Sequence, residues 1–199
     1  MKQGDQNPVS GQMEKTIVHE WADVKAPPPP EIKPVTVDPT VTALLILDIQ
    51  TQNCNTERRP RCVETVPKIQ SLLAEARARG MFVVHSLTRN GEITDIREEV
   101  TPKQGEPVVK SGVDKFFRTD LETILNERGI KAVIVVGTAA HGAVLHTGTG
   151  AALRGLQVIV PVDGMSADAY AEQYTAWHLA NGPGSRNQTT ITQMSLLSF

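Results

Sequence analysis

From residue 41 onward, short apolar runs alternate along the chain with longer stretches whose apolar residues recur at helical spacing. Short runs rich in β-branched residues are typical of strands that are buried on both faces of a parallel sheet. The predicted strands are Thr42–Leu47, Met81–His85, Lys131–Val136, Gln157–Val162 and a weaker one at Thr189–Thr192. This alternation predicts an α/β fold built from βα units.

The stretches between these runs are predicted to be helices. In the first of them, Val66, Ile69 and Leu73 lie on one helical face, and Gly80 supplies a C-terminal stop. The predicted helices are Glu64–Arg79, Asp120–Arg128, about Gly142–Arg154 and Ala167–Leu179. The segment Leu87–Lys110 has weak periodicity and many polar residues, which predicts a long excursion with functional potential.

Residues 1–40 differ from the rest because they are polar and then rich in proline, with four prolines in succession at Pro27–Pro30. Successive prolines favour extended polyproline II geometry and cannot continue a helix. We expect residues 1–40 to form an N-terminal arm that packs along the domain or onto a neighbouring subunit. A partly ordered tail is the alternative. Residues 41–199 are predicted to form a single domain with one core.

Charge and composition narrow the class of protein. Acidic residues outnumber basic ones by 22 to 20, and no basic cluster is present, which argues against nucleic acid or an anionic membrane as a partner. The polar N-terminus has no apolar core of the secretory type. Cys54 and Cys62 are too few for a disulfide framework or a four-ligand zinc site. The expected location is the cytoplasm.

In a parallel sheet of this kind, ligands bind beyond the carboxyl ends of the strands. Asp48 follows the first apolar strand, where a buried carboxylate needs a hydrogen bond or a cation. Lys110 ends the run PVVK and is one candidate for that cation. Lys115 is the other, and we expect it to be a surface residue. Asp163 follows a later strand and is a further position of interest.

The stretch from Gly137 to Thr147 is the most informative in the chain. A strand that ends in glycine, a turn of small residues and then a helix would direct main-chain N–H groups into the site, where they form a cradle for an oxyanion or a carboxylate. His141 and His146 are five residues apart, a poor spacing for one helical face. Together with His85 they do not form a metal-binding pattern, and we predict neither a metal nor another cofactor.

Taken together, these residues resemble the isochorismatase-like hydrolase superfamily, which includes isochorismatases, nicotinamidases and N-carbamoylsarcosine amidohydrolases. The resemblance covers about residues 41–192 and lies in three motifs: LLILDIQTQN, VVKSGVDKFFRTDL and VIVVGTAAHGAVLHTGTGAALRGLQVIVPVDGMSA. It implies a three-layer α/β/α domain with a mostly parallel sheet of about six strands. It also implies a homo-oligomer, either a dimer or a tetramer, that acts on a small-molecule substrate.

The resemblance also implies roles for individual residues. Asp48 matches the catalytic aspartate, Lys110 the catalytic lysine, and Ala143 the position of the cysteine nucleophile. The family's cis peptide maps onto Thr138–Ala139, and the amides of Ala139 and Ala143 would form the oxyanion hole.

Two further residues are expected to contact the substrate. Gln50 belongs to the Asp-x-Gln opening of the first motif, and His141 lies in the turn of the third.

Residue 143 is where the chain departs from the amidohydrolases. Alanine has no nucleophilic atom, so no acyl-enzyme can form through Ala143. The sequence from Ala140 to Ala143 instead resembles the Ala-His-x-Gly of true isochorismatases, which also lack the cysteine and hydrolyse a vinyl ether. We therefore predict a hydrolase of a small carboxylated or amide-type metabolite, with cysteine-independent acid–base catalysis by Asp48 and Lys110.

Two alternatives remain open. The chain could be a cysteine amidohydrolase whose nucleophile is replaced, naturally or by engineering, by Ala143. It could also be a catalytically silent binding member of the superfamily. Retention of both Asp48 and Lys110 weighs against a silent member, because a buried carboxylate and its cation are costly to keep.

Overall fold

A parallel sheet of seven strands forms the centre of the computed structural model, which describes residues 16–199. Residues 1–15, part of the predicted arm, lie outside the described residues. The described strands, numbered along the chain, are β1 (Val35–Thr36), β2 (Thr42–Leu47), β3 (Phe82–Leu87), β4 (Val108–Lys110), β5 (Ala132–Thr138), β6 (Gln157–Pro161), β7 (Met165–Ser166), β8 (Thr189–Thr192) and β9 (Leu197–Ser198).

The strand order creates one crevice at the edge of the sheet. The order is β4-β3-β2-β5-β6-β8, and β7 pairs with the end of β5. Strands β3 and β4 follow β2 on one side of it, and β5, β6 and β8 then follow on its other side. Strand order reverses between β2 and β5, and such a switch point is where open α/β sheets bind their ligands.

Helices cover both faces of the sheet. The covering helices are α2 (Pro60–Ala78), α3 (Leu121–Glu127), α4 (Leu145–Leu153) and α5 (Ala169–Asn181), and a short helix α1 (Ile17–Glu20) precedes them in the arm. Alternate residues of β2 point to opposite sides, so that Leu44 packs in the cluster with α2 and Leu45 in the cluster with α3, α4 and α5. Between residues 16 and 199, no helix has the length and apolar character needed to cross a membrane.

The predicted α/β fold with a mostly parallel sheet is confirmed. The five predicted strands correspond to β2, β3, β5, β6 and β8, and each of the four predicted helices is present with shifted ends. The two strands of the sheet that sequence patterning missed, β4 and β7, have three and two residues. Segments this short carry too few residues for a periodic signal.

The described part of the arm lies along the outside of the domain. Residues 24–34 form neither helix nor strand, and β1 then pairs in parallel with β9 near the C-terminus. The Lys33 N–H donates to the Ile191 carbonyl at 2.9 Å. The short helix α1 precedes this extended part and buries none of its residues. These contacts attach the arm to the last two strands.

Residues 88–107 form the long excursion, and a buried polar cluster fixes its far end. Glu106 receives paired hydrogen bonds from Arg77 of α2, at 2.7 and 2.8 Å, and lies 2.9 Å from Nε2 of His85. Although burial pushes the pKa of Glu106 upward, hydrogen bonds from Arg77, the Lys103 N–H and His85 lower it to about 2. This cluster therefore holds the excursion against α2 and β3.

Candidate active site

The switch point brings the end of β2 against the end of β5. Leu47 pairs with Gly137, so Asp48 and the turn that follows β5 begin side by side. Gly137 has φ of +129°, and a Cβ placed there would lie 2.1 Å from the Leu47 carbonyl oxygen. Only glycine permits this close approach of the two strand ends.

Asp48 is held in one orientation by its backbone and by β3. Its φ of 53° lies in the left-handed region, which costs a non-glycine residue about 1 kcal/mol and is best tolerated by aspartate and asparagine. The Ser86 hydroxyl donates to Asp48 Oδ1 at 2.7 Å and lies 3.2 Å from the Asp48 N–H, from which it accepts. Ser86 thus fixes both the main chain and the carboxylate of Asp48.

Lys115 supplies the cation that this carboxylate needs. Its Nζ lies 2.8 Å from Asp48 Oδ1, and its side chain is 0% exposed. The same ammonium donates to the main-chain oxygens of Gly112 at 2.7 Å, Leu87 at 3.2 Å and Ser111 at 3.4 Å. A buried charge is tolerated when it is paired and hydrogen-bonded in this way.

The expected pairing of Asp48 with Lys110 is therefore wrong. Lys110 ends the edge strand β4, where side chains alternate between the core and the surface, and Val109 takes the inward position. The Lys110 side chain is 41% exposed and pairs with Glu92 at 2.8 Å. Lys115, expected at the surface, is the buried partner. The sequence feature that could have indicated burial of Lys115 is its position directly before two phenylalanines, in VDKFF.

The environment of the pair shifts both protonation equilibria. Burial raises the pKa of Asp48 above its usual range, although the charge and hydrogen bond of Lys115 oppose the shift. Burial lowers the pKa of Lys115, against the charge of Asp48. A carboxyl group whose pKa is raised keeps its proton to a higher pH than a free aspartate does, as a general acid requires.

Only one oxygen of Asp48 is taken up by the contacts described. Ser86 and Lys115 both approach Oδ1, and no hydrogen bond from residues 16–199 reaches Oδ2. The side chain keeps 7% of its surface exposed. Oδ2 is therefore the atom on which a proton can be carried to a bound molecule.

The turn after β5 forms the other wall of the site. The peptide between Thr138 and Ala139 is cis, at the position that the family resemblance implied. A single π-helical turn, Ala140–Val144, leads directly into α4. Ala143 is buried with 3% exposure. One helical turn later, Thr147 accepts from the Lys115 N–H at 3.2 Å, which ties this side of α4 to the Lys115 segment.

The two residues expected to contact substrate occupy different surroundings. Gln50 is buried, its Oε1 accepts from the Thr88 N–H at 2.9 Å, and its amide packs against Gly91. These contacts make Gln50 a support for the start of the excursion. His141 is exposed and lines a surface groove with His146 and Asp168.

The remaining candidates are structural. Asp163 accepts from the Met194 N–H at 2.9 Å and pairs with Lys68 at 3.2 Å, which binds the C-terminal segment to α2. His85 belongs to the Glu106 cluster, and burial lowers its pKa. Across residues 16–199, no group of three or more histidine, cysteine or acidic side chains is arranged to hold a metal ion.

Comparison with known proteins places this geometry in a family. The isochorismatase domain model matches residues 42–193, which include the Asp48–Lys115 pair and the turn at Ala143. The chain belongs to the isochorismatase family. It is thus a hydrolase by family.

Two curated relatives share this isochorismatase sequence pattern. A secreted isochorismatase effector from Verticillium dahliae is 33% identical over 144 residues, covering 66% of this chain and 76% of the relative. A streptothricin hydrolase from Streptomyces noursei is 30% identical over 135 residues, covering 62% of this chain. This chain spans 49%, about half, of the streptothricin hydrolase.

Solved structures show the same isochorismatase-like fold. An isochorismatase family protein from Desulfovibrio vulgaris superposes with a TM-score of 0.69 and 22% sequence identity. The match covers 78% of this chain and 95% of that protein. At this level of identity, the similarity establishes the fold alone.

In the segment that follows Asp48, the two cysteines form a disulfide. Cys54 and Cys62 are linked, with Cα atoms 5.2 Å apart, and both residues are fully buried. Two cysteines are indeed too few for a framework of disulfides, but they suffice for this single bridge. The disulfide joins residues eight positions apart and so closes a loop between the Asp48 segment and the first turn of α2.

Proposed function

We propose that this isochorismatase-family chain hydrolyses a small carboxylated metabolite by acid–base catalysis without a nucleophilic cysteine. The observation that carries the proposal is the buried Asp48–Lys115 pair, which leaves Asp48 Oδ2 open beside a turn that has alanine at position 143. Asp48 replaces the thiol as the reactive group. Lys115, rather than Lys110, is its charge partner.

A vinyl ether is the substrate linkage that these residues fit best. Asp48, in its protonated form, donates its proton to the terminal enol carbon, and the C=C π electrons form the new C–H bond. Water adds to the resulting oxocarbenium carbon and returns one proton to Asp48. The hemiketal then collapses, so that the C–O bond breaks, a ketone forms and the alcohol leaves. The balance is one water consumed and no external cofactor.

Lys115 acts in this scheme by position and charge. Three main-chain oxygens and Asp48 surround its ammonium, so it holds Oδ1 and leaves proton transfer to Oδ2. Main-chain N–H groups of the turn at Ala139 and Ala143 are proposed to bind the leaving oxygen, which gains negative charge as the C–O bond of the hemiketal breaks and then takes the proton of the hemiketal hydroxyl.

The test is hydrolysis of isochorismate, followed through release of pyruvate. Asp48→Asn should lower kcat by about 10²- to 10⁴-fold, because proton transfer is removed while the shape of the side chain is kept. Asp163→Asn is the matched control, since this aspartate also follows a strand but contacts the C-terminal segment. It should leave kcat within a few-fold. Equal losses in both variants would reject Asp48 as the acid.

An amide-cleaving activity is the second candidate, supported by the buried position of Ala143 in the turn where amidohydrolases of this family carry their cysteine. Ala143→Cys restores a thiol at that position. If wild-type protein does not hydrolyse isochorismate and Ala143→Cys cleaves nicotinamide or simple amides, the chain is an amidohydrolase with a replaced nucleophile. A protein without either activity would be the silent binding member.

The cellular location remains a prediction. Cytoplasmic location was expected, but the Cys54–Cys62 disulfide and the secreted effector among the relatives favour an oxidising compartment. Alkylation of protein from its native source before denaturation and reduction distinguishes the two. Cytoplasmic protein should contain two free thiols per chain, and protein from an oxidising compartment none.

Homo-oligomerisation also remains a proposal. Trp21 of the arm and Tyr170, Tyr174 and Trp177 of α5 form an exposed apolar face, and such faces favour association. In size-exclusion chromatography, deletion of residues 1–38 should increase the elution volume by more than the loss of mass alone would. An unchanged oligomer after this deletion would reject the arm as an interface.

A further inference from the structure

Arg59 lies in the disulfide-closed segment 54–62, which follows the Asp48 segment along the chain. It is the residue immediately before α2, and Pro60 then starts the helix. Its N–H donates to the Asn55 carbonyl at 2.9 Å, and its carbonyl accepts from the Cys62 N–H at 3.0 Å. Its main chain is therefore fixed on both sides within the disulfide loop.

This loop is attached directly to the Asp48 segment. The Cys54 N–H donates to the Gln50 carbonyl at 2.8 Å, and the Gln50 N–H donates to the Asp48 carbonyl at 2.8 Å. On the other side, Arg97 Nη1 donates to the Cys54 carbonyl at 2.9 Å. Two main-chain hydrogen bonds thus connect the disulfide loop that contains Arg59 with the main chain of Asp48.

The Arg59 guanidinium differs from those of its neighbours. Arg61 pairs with Glu172, and Arg97 pairs with Glu99 at 2.6 Å. Arg59 is half-buried, yet its guanidinium forms no hydrogen bond or ion pair with any of residues 16–199. A partly desolvated guanidinium without an acceptor is costly unless a ligand supplies one.

The charge balance of the site points to the class of ligand. Lys115 already compensates the carboxylate of Asp48, so the positive charge of Arg59 is in excess. Burial lowers the pKa of Arg59 and Arg58 lowers it further, while Asp48 acts in the opposite direction, which places Arg59 within the field of Asp48. A guanidinium binds a carboxylate with two parallel hydrogen bonds.

We propose that Arg59 binds a carboxylate of the substrate on which Asp48 acts, and that the Cys54–Cys62 disulfide holds Arg59 in place. The inference rests on the proposed function because it takes the Asp48 site as the place where the substrate binds. Arg59 is then a substrate-binding residue that selects anionic over neutral substrates, and the disulfide is its positioning element.

The first experiment measures binding without turnover. Chorismate, a cyclic dicarboxylate, carries a vinyl ether itself, so the measurements use an Asp48→Asn parent in which proton transfer is removed. Calorimetry with chorismate and with its neutral dimethyl ester compares this parent with the same protein carrying Arg59→Ala or Arg58→Ala. Loss of a charged hydrogen-bonding partner should weaken chorismate binding about 10- to 100-fold in Arg59→Ala, with no preference for acid over ester remaining. Arg58→Ala removes the same charge from an exposed neighbour and should change the dissociation constant less than two-fold.

The second experiment uses isochorismate hydrolysis and separates the two proposals. Arg59→Ala should raise KM by a similar factor with kcat nearly unchanged, because uniform binding is lost. Hydrolysis with the same KM in wild type and Arg59→Ala overturns the Arg59 inference and leaves the proposed function standing. Carboxylate binding that depends on Arg59, without hydrolysis in wild type, supports the inference and rejects the proposed function. Absence of chorismate binding in the Asp48→Asn parent also overturns the inference.

The positioning role of the disulfide has its own variant. Cys54→Ala with Cys62→Ala removes the bridge and keeps the buried positions apolar, and thermal unfolding checks that the protein is folded. We expect a KM several-fold above wild type and an unchanged kcat. Arg59→Ala added to this pair should then raise KM less than it does in wild type. An unchanged KM in the folded pair overturns the positioning role.

Discussion

Removal of Lys115 should destabilise the protein in a way that depends on pH. Lys115→Met keeps a similar side-chain length in the fully buried position and deletes the ammonium. Asp48 then faces a dry pocket without its cation. Breaking a buried ion pair by deleting one partner costs about 3–5 kcal/mol. For a protein of this length, that corresponds to a fall in Tm of about 6–20 °C.

Lys110→Met is the matched control. It removes the same charge five residues earlier, from a side chain that is 41% exposed and paired with exposed Glu92. Exposed ion pairs contribute about 0–1 kcal/mol, so Tm should change by less than about 4 °C. Urea unfolding at pH 7 gives the free energies directly, and similar m-values in the two variants would show that the unfolded states are comparable.

The pH dependence identifies Asp48 as the cause of the loss. Burial raises the pKa of Asp48 above its unfolded value, and deletion of Lys115 removes the main opposing influence. Between the unfolded pKa and the higher folded pKa, the folded protein binds more protons, so its stability increases as pH falls. In this window, Lys115→Met should recover up to about 1.4 kcal/mol per pH unit relative to wild type.

A double variant completes the test. Asp48→Asn combined with Lys115→Met removes both charges and should be more stable at pH 7 than Lys115→Met alone. If Lys115→Met and Lys110→Met lose equal stability, the reasoning on the buried pair is refuted. It is also refuted if the loss in Lys115→Met does not change between pH 7 and pH 4, which is close to the unfolded pKa of aspartate.

Three further predictions concern other parts of the fold. Glu106→Gln should lower the free energy of unfolding by about 1–3 kcal/mol at pH 7 and by little at pH 2. The reason is that the stability due to a carboxyl with a pKa of about 2 is lost as pH falls from about 4.5. Urea unfolding at both pH values measures the difference, and an equal loss at the two would contradict the prediction. Gly137→Ala should lower Tm far more than Gly105→Ala. A Cβ at residue 137 would lie 2.1 Å from the Leu47 carbonyl oxygen, whereas a Cβ at residue 105 would have no atom within 4 Å. Similar Tm values would show that the ends of the two strands can separate. Ala143→Cys should be alkylated near neutral pH, because the start of a helix favours a thiolate. One thiol per chain should react, since both native cysteines are in the disulfide. An unreactive thiol would place residue 143 outside the pocket.

Sequence patterning alone determined the layered α/β fold, because strands and helices impose different local periodicities on apolar residues. It also located Asp48 and the turn before Ala143, since both directly follow strongly apolar strands and the carboxyl ends of parallel strands meet at one edge. These inferences depend on order along the chain and on local conformation. A sequence states both directly.

The partner of Asp48 was decided only by the tertiary structure. Lys110 and Lys115 are five residues apart, and which of them is buried depends on how the segment between them turns back from the edge strand toward Thr147 of α4. Long-range contacts of this kind arise from the packing of segments that are distant in sequence, and periodicity carries no information about which side chains will then meet.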